Sequence, residues 1–275
     1  MAEGICKLTG ETGPLVKAHI LPKALTSPAV KGQSFAQAGS NYAPRRRRDS
    51  WYDPDLVTRA GEDILARYDS WAIEELRRHR LVWSGWGGDR TLAENEMLLV
   101  PGMDGIGFRK IDTIDQHRLR LFLLSILWRA AVSKMHEFSE IRMLPNERRR
   151  LTHMVRNGRV EPLSFFPVML FQLSSRGEIH NLSPIAQHKR RDVMDPDKGT
   201  IPIFRFYFDG LIVHFHRKDR AKDVEAMGPM MVGRGKELVV GLRPYDGSWQ
   251  EENLEVLKAE AEERWPGKLA RIYSS

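Results

Sequence analysis

The stretch CKLTGETGPLVKAHILPKAL, residues 6–25, decides how the N-terminal part of this 275-residue chain is interpreted. Gly10 and Gly13 predict turns between short β segments, and Pro22 ends strand pairing. The residues just before Pro22 alternate loosely between apolar and polar types and include His19. The stretch therefore predicts a hairpin that presents one histidine near its end.

The same stretch has the pattern C-x-L-T-G-x-x-G-P-L-V-x-A-H-I-L-P-K, which resembles the opening of HNH-type endonucleases that begin C-x-x-C and continue S-H-I-I-P-K. Two later segments extend the resemblance: GEDILARYDSWAI (61–73) and DQHRLRLFLLSILWRAAVS (115–133). In such proteins the first carries a second cysteine pair and then an aromatic–acidic pair on a helix, and the second is a following helix. The resemblance implies an α+β fold with an N-terminal ββα-metal (HNH) motif.

The resemblance also implies an activity, the hydrolysis of DNA phosphodiester bonds with Mg²⁺ or another divalent metal. In such enzymes a histidine is the general base on the attacking water, and the metal stabilises the leaving oxygen. His19 matches that histidine, but Ala18 stands where HNH enzymes often carry an acidic ligand, and the closing histidine has no clear match. The nearest acids, Glu62 and Asp69, are seven residues apart and so share one helix stripe.

The resemblance therefore implies His19 as catalytic base, Asp69 as a further catalytic residue that binds metal or orients the histidine, and Glu62 as a second metal ligand. Other interpretations stay open at this point. Glu62 is also what the dipole of a helix favours in its first turn. Asp69 could instead pair with an arginine such as Arg67 or Arg45.

The zinc site of the related enzymes is not expected here. Their first cysteine pair corresponds to Cys6 and Thr9 and their second to Thr58 and Gly61, so three of four thiolates are missing. A structural zinc needs four good ligands. We expect a metal-free knuckle in which Cys6 is a small buried apolar residue. Its packing would come from Ile5, Leu8, Leu15 and Ile20.

The net charge of +7 and the pI near 9.6 favour an anionic partner, with nucleic acid first. The run Arg45–Arg48 stands just before Trp51 and Tyr52. Arginines contact phosphates, and an aromatic ring can stack on a base. We expect the aromatics to pack onto the fold and the cations to contact DNA. The candidate DNA-binding residues are Lys23, Arg45, Arg46, Arg47 and Arg48.

The sequence predicts three regions. Residues 1–80 form the HNH-like domain with a basic loop at 26–60, residues 81–158 are helical, and residues 159–275 are β-rich with a closing helix. Apolar spacing predicts a helix at 62–80 and a buried central helix at 114–134, capped by Thr113 with Gln116. In the last region Asp209-Gly210 predicts a hairpin turn, and Ser248 is expected to cap the closing helix.

Two alternatives to an active nuclease remain open. One is a catalytically degenerate HNH-derived module that still binds nucleic acid or a protein, and the other is an assembly protein that acts through its β-rich half. The spacing of His214 and His216 on one strand face also permits a metal, although no third ligand is evident nearby. No apolar run reaches transmembrane length, which predicts a cytoplasmic protein with no membrane partner. The sequence leaves the oligomeric state open.

Overall fold

The computed structural model describes residues 3–27, 35–38, 42–47, 50–191, 196–217 and 221–273, and the fold is mixed α+β, as expected. In chain order the strands are β1 (Glu3–Ile5), β2 (Thr12–His19), β3 (Phe35–Ala38), β4 (Arg45–Arg47), β5 (Tyr52–Thr58), β6 (Leu98–Leu99), β7 (Gly107–Ile111), β8 (Val168–Leu173), β9 (Asn181–Leu182), β10 (Ile185–Arg190), β11 (Thr200–Phe208), β12 (Leu211–His216) and β13 (Leu238–Arg243). The helices are α1 (Arg59–Arg78), α2 (Gln116–Val132), α3 (Pro145–Asn157), α4 (Ala221–Ala226), α5 (Trp249–Arg264) and α6 (Lys268–Tyr273).

The N-terminal hairpin belongs to a three-stranded sheet in the order β1-β2-β5. β1 and β2 pair antiparallel across a turn in which Gly10 has a φ of 78°, a conformation that favours glycine. β2 also pairs antiparallel with β5, so that His19 lies opposite Tyr52. Helix α1 begins directly after β5. His19 is therefore the last residue of a strand whose antiparallel partner leads into a helix.

The basic loop predicted for residues 26–60 differs from the structure. Its last part is β5, where Leu56 and Val57 are fully buried, and its middle part contributes β3 and β4 to a second sheet in the order β4-β3-β9. The local Ser, Pro, Gly and Ala content predicted irregular chain. Pairing with β2, more than thirty residues earlier, makes the strand instead.

The helix expected at 62–80 is α1, and the buried central helix expected at 114–134 is α2, which is buried on all sides as predicted. The predicted cap of α2 is wrong. Asp115 is the N-cap and accepts from the Arg118 amide at 3.0 Å. Gln116 instead donates its side-chain amide to Gly235 O at 2.8 Å, because a tertiary contact outcompetes the local capping box.

A seven-stranded sheet has the order β10-β11-β12-β8-β13-β7-β6 and is antiparallel except for the β8–β13 pair. The predicted turn at Asp209-Gly210 joins β11 to β12, with φ of 52° and 82°. Ser248 caps α5 as predicted, since its hydroxyl accepts from the Glu251 amide at 3.1 Å. β6 and β7, from the region 81–158 that was predicted to be helical, also lie in this sheet.

None of the helices in the described ranges combines the length and the apolar character that a membrane crossing requires.

Candidate functional site

Asp69 is held by an arginine that the sequence did not assign to the site. Arg129 Nη1 donates to Asp69 Oδ2 at 2.9 Å, and Nη2 donates to Oδ1 at 2.5 Å. The Arg129 side chain is 2% exposed and the Asp69 side chain 18%. Bidentate pairs of this kind are strong and directional. Both carboxylate oxygens of Asp69 are therefore engaged, and by neither Arg67 nor Arg45.

The same guanidinium also holds the end of β2. Arg129 Nη1 donates to the backbone oxygen of His19 at 3.0 Å. Ser125, one turn earlier on α2, accepts from Arg129 at its hydroxyl (3.0 Å) and at its carbonyl (3.3 Å). Arg129 thus connects α1, α2 and β2. Asp69 orients His19 only indirectly, through Arg129 and the His19 backbone.

Glu62 lies two turns before Asp69 on α1, about 10 Å along the helix axis. Burial raises the pKa of the Glu62 carboxyl above its usual range; Arg129 opposes this shift and the Asp69 carboxylate adds to it. The expected helix stripe therefore exists, and both acids belong to one electrostatic cluster centred on Arg129.

The His19 side chain is half-buried at the end of β2. Its ring meets the Tyr52 ring edge-on at a centroid distance of 6.4 Å, and the Lys17 ammonium lies 3.4 Å from the centre of the Tyr52 ring. An exposed aromatic ring beside a cation is therefore the immediate neighbour of His19. Trp51 is buried against Phe138, so one of the two predicted aromatics packs inside and the other does not.

The cluster does not fit a divalent metal as it stands. An ion bound by Asp69 would have to displace the Arg129 guanidinium from both carboxylate oxygens. In the part of the chain that the structure describes, no three His, Cys, Asp or Glu side chains are grouped so as to hold an ion. The roles of Asp69 and Glu62 as metal ligands stay predictions. The observed arrangement is an ion pair between Asp69 and Arg129 that holds the end of β2 in position.

Cys6, Thr9, Thr58 and Gly61, the four positions of the predicted knuckle, lie close together. A Cβ on Gly61 would lie 2.7 Å from Cys6 Sγ, and the Thr9 amide donates to that sulfur at 3.4 Å. Burial alone would raise the pKa of the Cys6 thiol, but hydrogen bonds from Thr9 and Thr58 outweigh it and lower the pKa. With one thiolate among four positions, the donor set does not fit zinc. The Cys6 sulfur occupies the space between these positions, where the related enzymes hold the zinc ion.

The rest of the expected knuckle packing is only partly right. Cys6, Leu8 and Ile20 are fully or almost fully buried. Ile5 is 66% exposed, because its side chain lies on the outer face of the edge strand β1.

We expect Gly61→Ala to destabilise the protein by about 1–3 kcal/mol, because the new methyl group overlaps Cys6 Sγ and Val57 Cβ. This steric cost exceeds the gain in helix propensity, which favours alanine over glycine by roughly 1 kcal/mol. Chemical denaturation measures the effect. Cys6→Ala in the same chain should recover part of the loss, whereas strict additivity would contradict this packing. Gly88→Ala is the control, since its Cβ would meet nothing within 4 Å.

The predicted DNA-binding residues belong to elements other than the strand that ends in His19. Arg45, Arg46 and Arg47 form β4 in the second sheet, and Arg48 lies outside the described residues. Lys23 is exposed in a short 3-10 turn after β2. Arg45 pairs weakly with Glu137 at 3.5 Å and is 53% exposed.

A cleft of about 560 Å³ joins Arg45 and Arg46 to the C-terminal helix α6. From α6 it includes Lys268 and Arg271. The sequence offered no signal for this basic groove, because its two halves are more than 220 residues apart. Arg129 did leave a signal, since a cation inside an all-apolar helix requires a partner.

His214 and His216 give no support to a metal site. Both ring nitrogens of His214 are buried without a hydrogen-bond partner among the described residues. Burial, with Lys189 and Arg205 nearby, lowers the pKa of His214 well below its usual range. Two neighbouring cations disfavour a metal ion at this position.

Comparison with known proteins does not assign the chain to a family. No protein-family model matches the chain, and no curated protein and no solved structure matches it either.

Proposed function

We propose that this chain is an HNH-derived DNA-binding module in which the former catalytic cluster has become a structural ion pair. The Asp69–Arg129 pair carries the proposal, because it occupies the carboxylate that the resemblance assigns to metal or catalysis. The sequence resemblance and the order β2, β5, α1 support descent from the ββα-metal fold. The knuckle, closed around Cys6 Sγ, fits the same history.

The DNA contacts in this proposal come from the basic groove formed by Arg45, Arg46, Lys268 and Arg271. Four cationic side chains line the groove, and Arg45 is 53% exposed with a weak contact to Glu137 at 3.5 Å. Phosphate contacts of this kind give binding that is independent of sequence and sensitive to salt.

We expect a fluorescent DNA duplex to bind with an affinity that falls steeply as salt rises, and Arg45→Gln/Arg46→Gln to lower the log–log salt slope by about 2. Each neutralised phosphate contributes about 0.9 to that slope. Fluorescence anisotropy measures it. Lys110→Gln is the matched control, because Lys110 lies on β7, outside the basic groove, and pairs with Glu237. This variant should not change the slope. If the DNA duplex does not bind even at low salt, the proposal of a DNA-binding module is refuted.

A second candidate is an active endonuclease with His19 as base. It is favoured by the position of His19 at the end of β2 and by Glu62, the acid that Arg129 does not bind directly. A supercoiled-plasmid assay with Mg²⁺, Mn²⁺ and EDTA separates the two candidates. We expect no metal-dependent nicking and unchanged DNA affinity in His19→Ala. Nicking that EDTA and His19→Ala both abolish would establish the endonuclease instead.

A further inference from the structure

A second cleft lies at the C-terminal end of α1, between segment 24–27 and the turn of the β11–β12 hairpin. Its volume is about 580 Å³, within the roughly 300–1,000 Å³ typical of small-molecule sites. Three arginines line it, Arg77, Arg90 and Arg176, together with a single carboxyl group, Asp209. We name it the arginine cleft.

Two of these arginines are fixed by uncharged oxygens. Arg77 donates to Ala24 O at 2.9 Å and to Ser84 Oγ at 3.1 Å. Arg176 donates to Trp83 O at 2.8 Å. Such bonds hold a guanidinium in place without neutralising its charge.

The cleft carries a surplus of positive charge. Among the described residues none of the three arginines forms an ion pair with a carboxylate. Asp209 accepts the Ser84 amide at 3.0 Å. Burial raises the pKa of Asp209 to about 6, although the Ser84 bond and the arginines oppose it. The lining is therefore cationic in either protonation state of Asp209.

Several polar atoms of the lining residues lack partners. Trp83 Nε1, Ser27 Oγ and Arg176 Nε are buried without a hydrogen-bond partner in the described ranges, and Trp83 is only 5% exposed. Buried polar groups in native proteins are nearly always paired. These three atoms are enclosed by the protein, so the guanidinium groups of the lining are the donors that a ligand in the cleft would meet.

We propose that the arginine cleft binds a phosphate-bearing small molecule of about nucleotide size. A phosphate group brings a charge of about −1.5 to −2 and three acceptor oxygens, and guanidinium groups bind it bidentately. His180 and Tyr207, which stack with ring centroids 4.8 Å apart, also line the cleft. This proposal is independent of the DNA groove at Arg45 and Arg46.

The test is calorimetric titration of the whole chain with inorganic phosphate and with adenosine monophosphate, against chloride of equal ionic strength. We expect millimolar or tighter binding, weakened about 10-fold or more in Arg90→Gln, since a charge-assisted hydrogen bond is lost. Arg90 is exposed, so this variant leaves the fold intact. Arg67→Gln, roughly 15 Å earlier on α1 than Arg77, is the matched control and should bind like wild type.

A pH series with sulfate, whose charge is constant in this range, adds an independent readout. We expect wild-type affinity to fall from about pH 5 to pH 8 as Asp209 ionises and repels the anion. Asp209→Asn should remove this dependence. The guanidinium groups of the cleft do not titrate near neutral pH. Burial lowers the pKa of His180 to about 4 and raises that of Tyr207, so neither changes its charge between pH 5 and pH 8.

Three results would overturn the proposal. They are no binding of phosphate or adenosine monophosphate at millimolar concentration, equal weakening in Arg67→Gln, and an affinity for a DNA duplex that Arg90→Gln reduces as strongly as it reduces phosphate binding. The last result would assign the cleft to the DNA surface. Because Arg90 lies outside the basic groove, failure here leaves the salt-slope test of DNA binding unaffected.

Discussion

Asp69→Ala should destabilise the protein by about 3–5 kcal/mol, because it leaves the Arg129 guanidinium buried without a counter-charge. Without Asp69, the Arg129 guanidinium that donates to the His19 backbone oxygen also loses the partner that fixes its position. Equilibrium urea unfolding measures the effect. Asp63→Ala is the matched control on the same helix, since its carboxylate is 65% exposed and pairs with Arg59 at 4.0 Å only. It should change stability by no more than about 0.5 kcal/mol.

A double variant tests whether the pair itself is responsible. Asp69→Ala/Arg129→Met removes both charges and should be more stable than Asp69→Ala alone, because no unpaired ion stays buried. If Asp69→Ala costs no more than Asp63→Ala, the ion pair has no structural role. The carboxylate would then be available for the catalytic role that the resemblance implies.

Arg120→Met should be similarly costly, by about 3 kcal/mol or more. Arg120 is fully buried on α2 and donates to four backbone oxygens, so the variant leaves several buried acceptors unpaired. Those acceptors are Val160 O (3.1 Å), Leu163 O (3.2 Å), Phe165 O (2.7 Å) and Phe166 O (3.2 Å). Burial lowers the pKa of Arg120 to about 10, which shows how far the group is removed from water.

The measurement for Arg120 is urea unfolding combined with hydrogen exchange. Protection of backbone amides from exchange should fall first in residues 160–166, because the Arg120 guanidinium binds backbone oxygens of this segment. Arg156→Met, exposed on α3, is the control and should be neutral within about 0.5 kcal/mol. An Arg120→Met protein as stable as this control would mean that water replaces the guanidinium without cost.

The sequence predicts features that arise from local rules. The helix stripe of Glu62 and Asp69, the Ser248 cap and the Asp209-Gly210 turn depend on residues within a few positions of each other. Cys6, Thr9, Thr58 and Gly61, which the resemblance groups together, do lie close to one another, although the family itself stays a prediction. What these residues do chemically is still a matter for the assays above.

The sequence does not predict which groups meet across the fold. Asp69 and Arg129 are 60 residues apart, and only the packing of α1 against α2 decides that they pair. Gln116 illustrates the same limit, because the local pattern assigned its side chain to a capping box and the side chain binds the distant Gly235 carbonyl instead. Sequence reasoning could state that Arg129 needs a partner, but it had no means to name one.

The place of β7 in the large sheet has a consequence for how the chain is made. β7 lies between β6, a strand of two residues, and β13, which is encoded roughly 130 residues later. At synthesis rates of about 5–20 residues per second, β7 waits roughly ten seconds for its main partner to be translated. Its Leu98 and Leu99 neighbours, more than half exposed even in the finished fold, are then open to other chains. During this interval the edge of β7 that later pairs with β13 has unpaired backbone groups and is open to pairing with other strands.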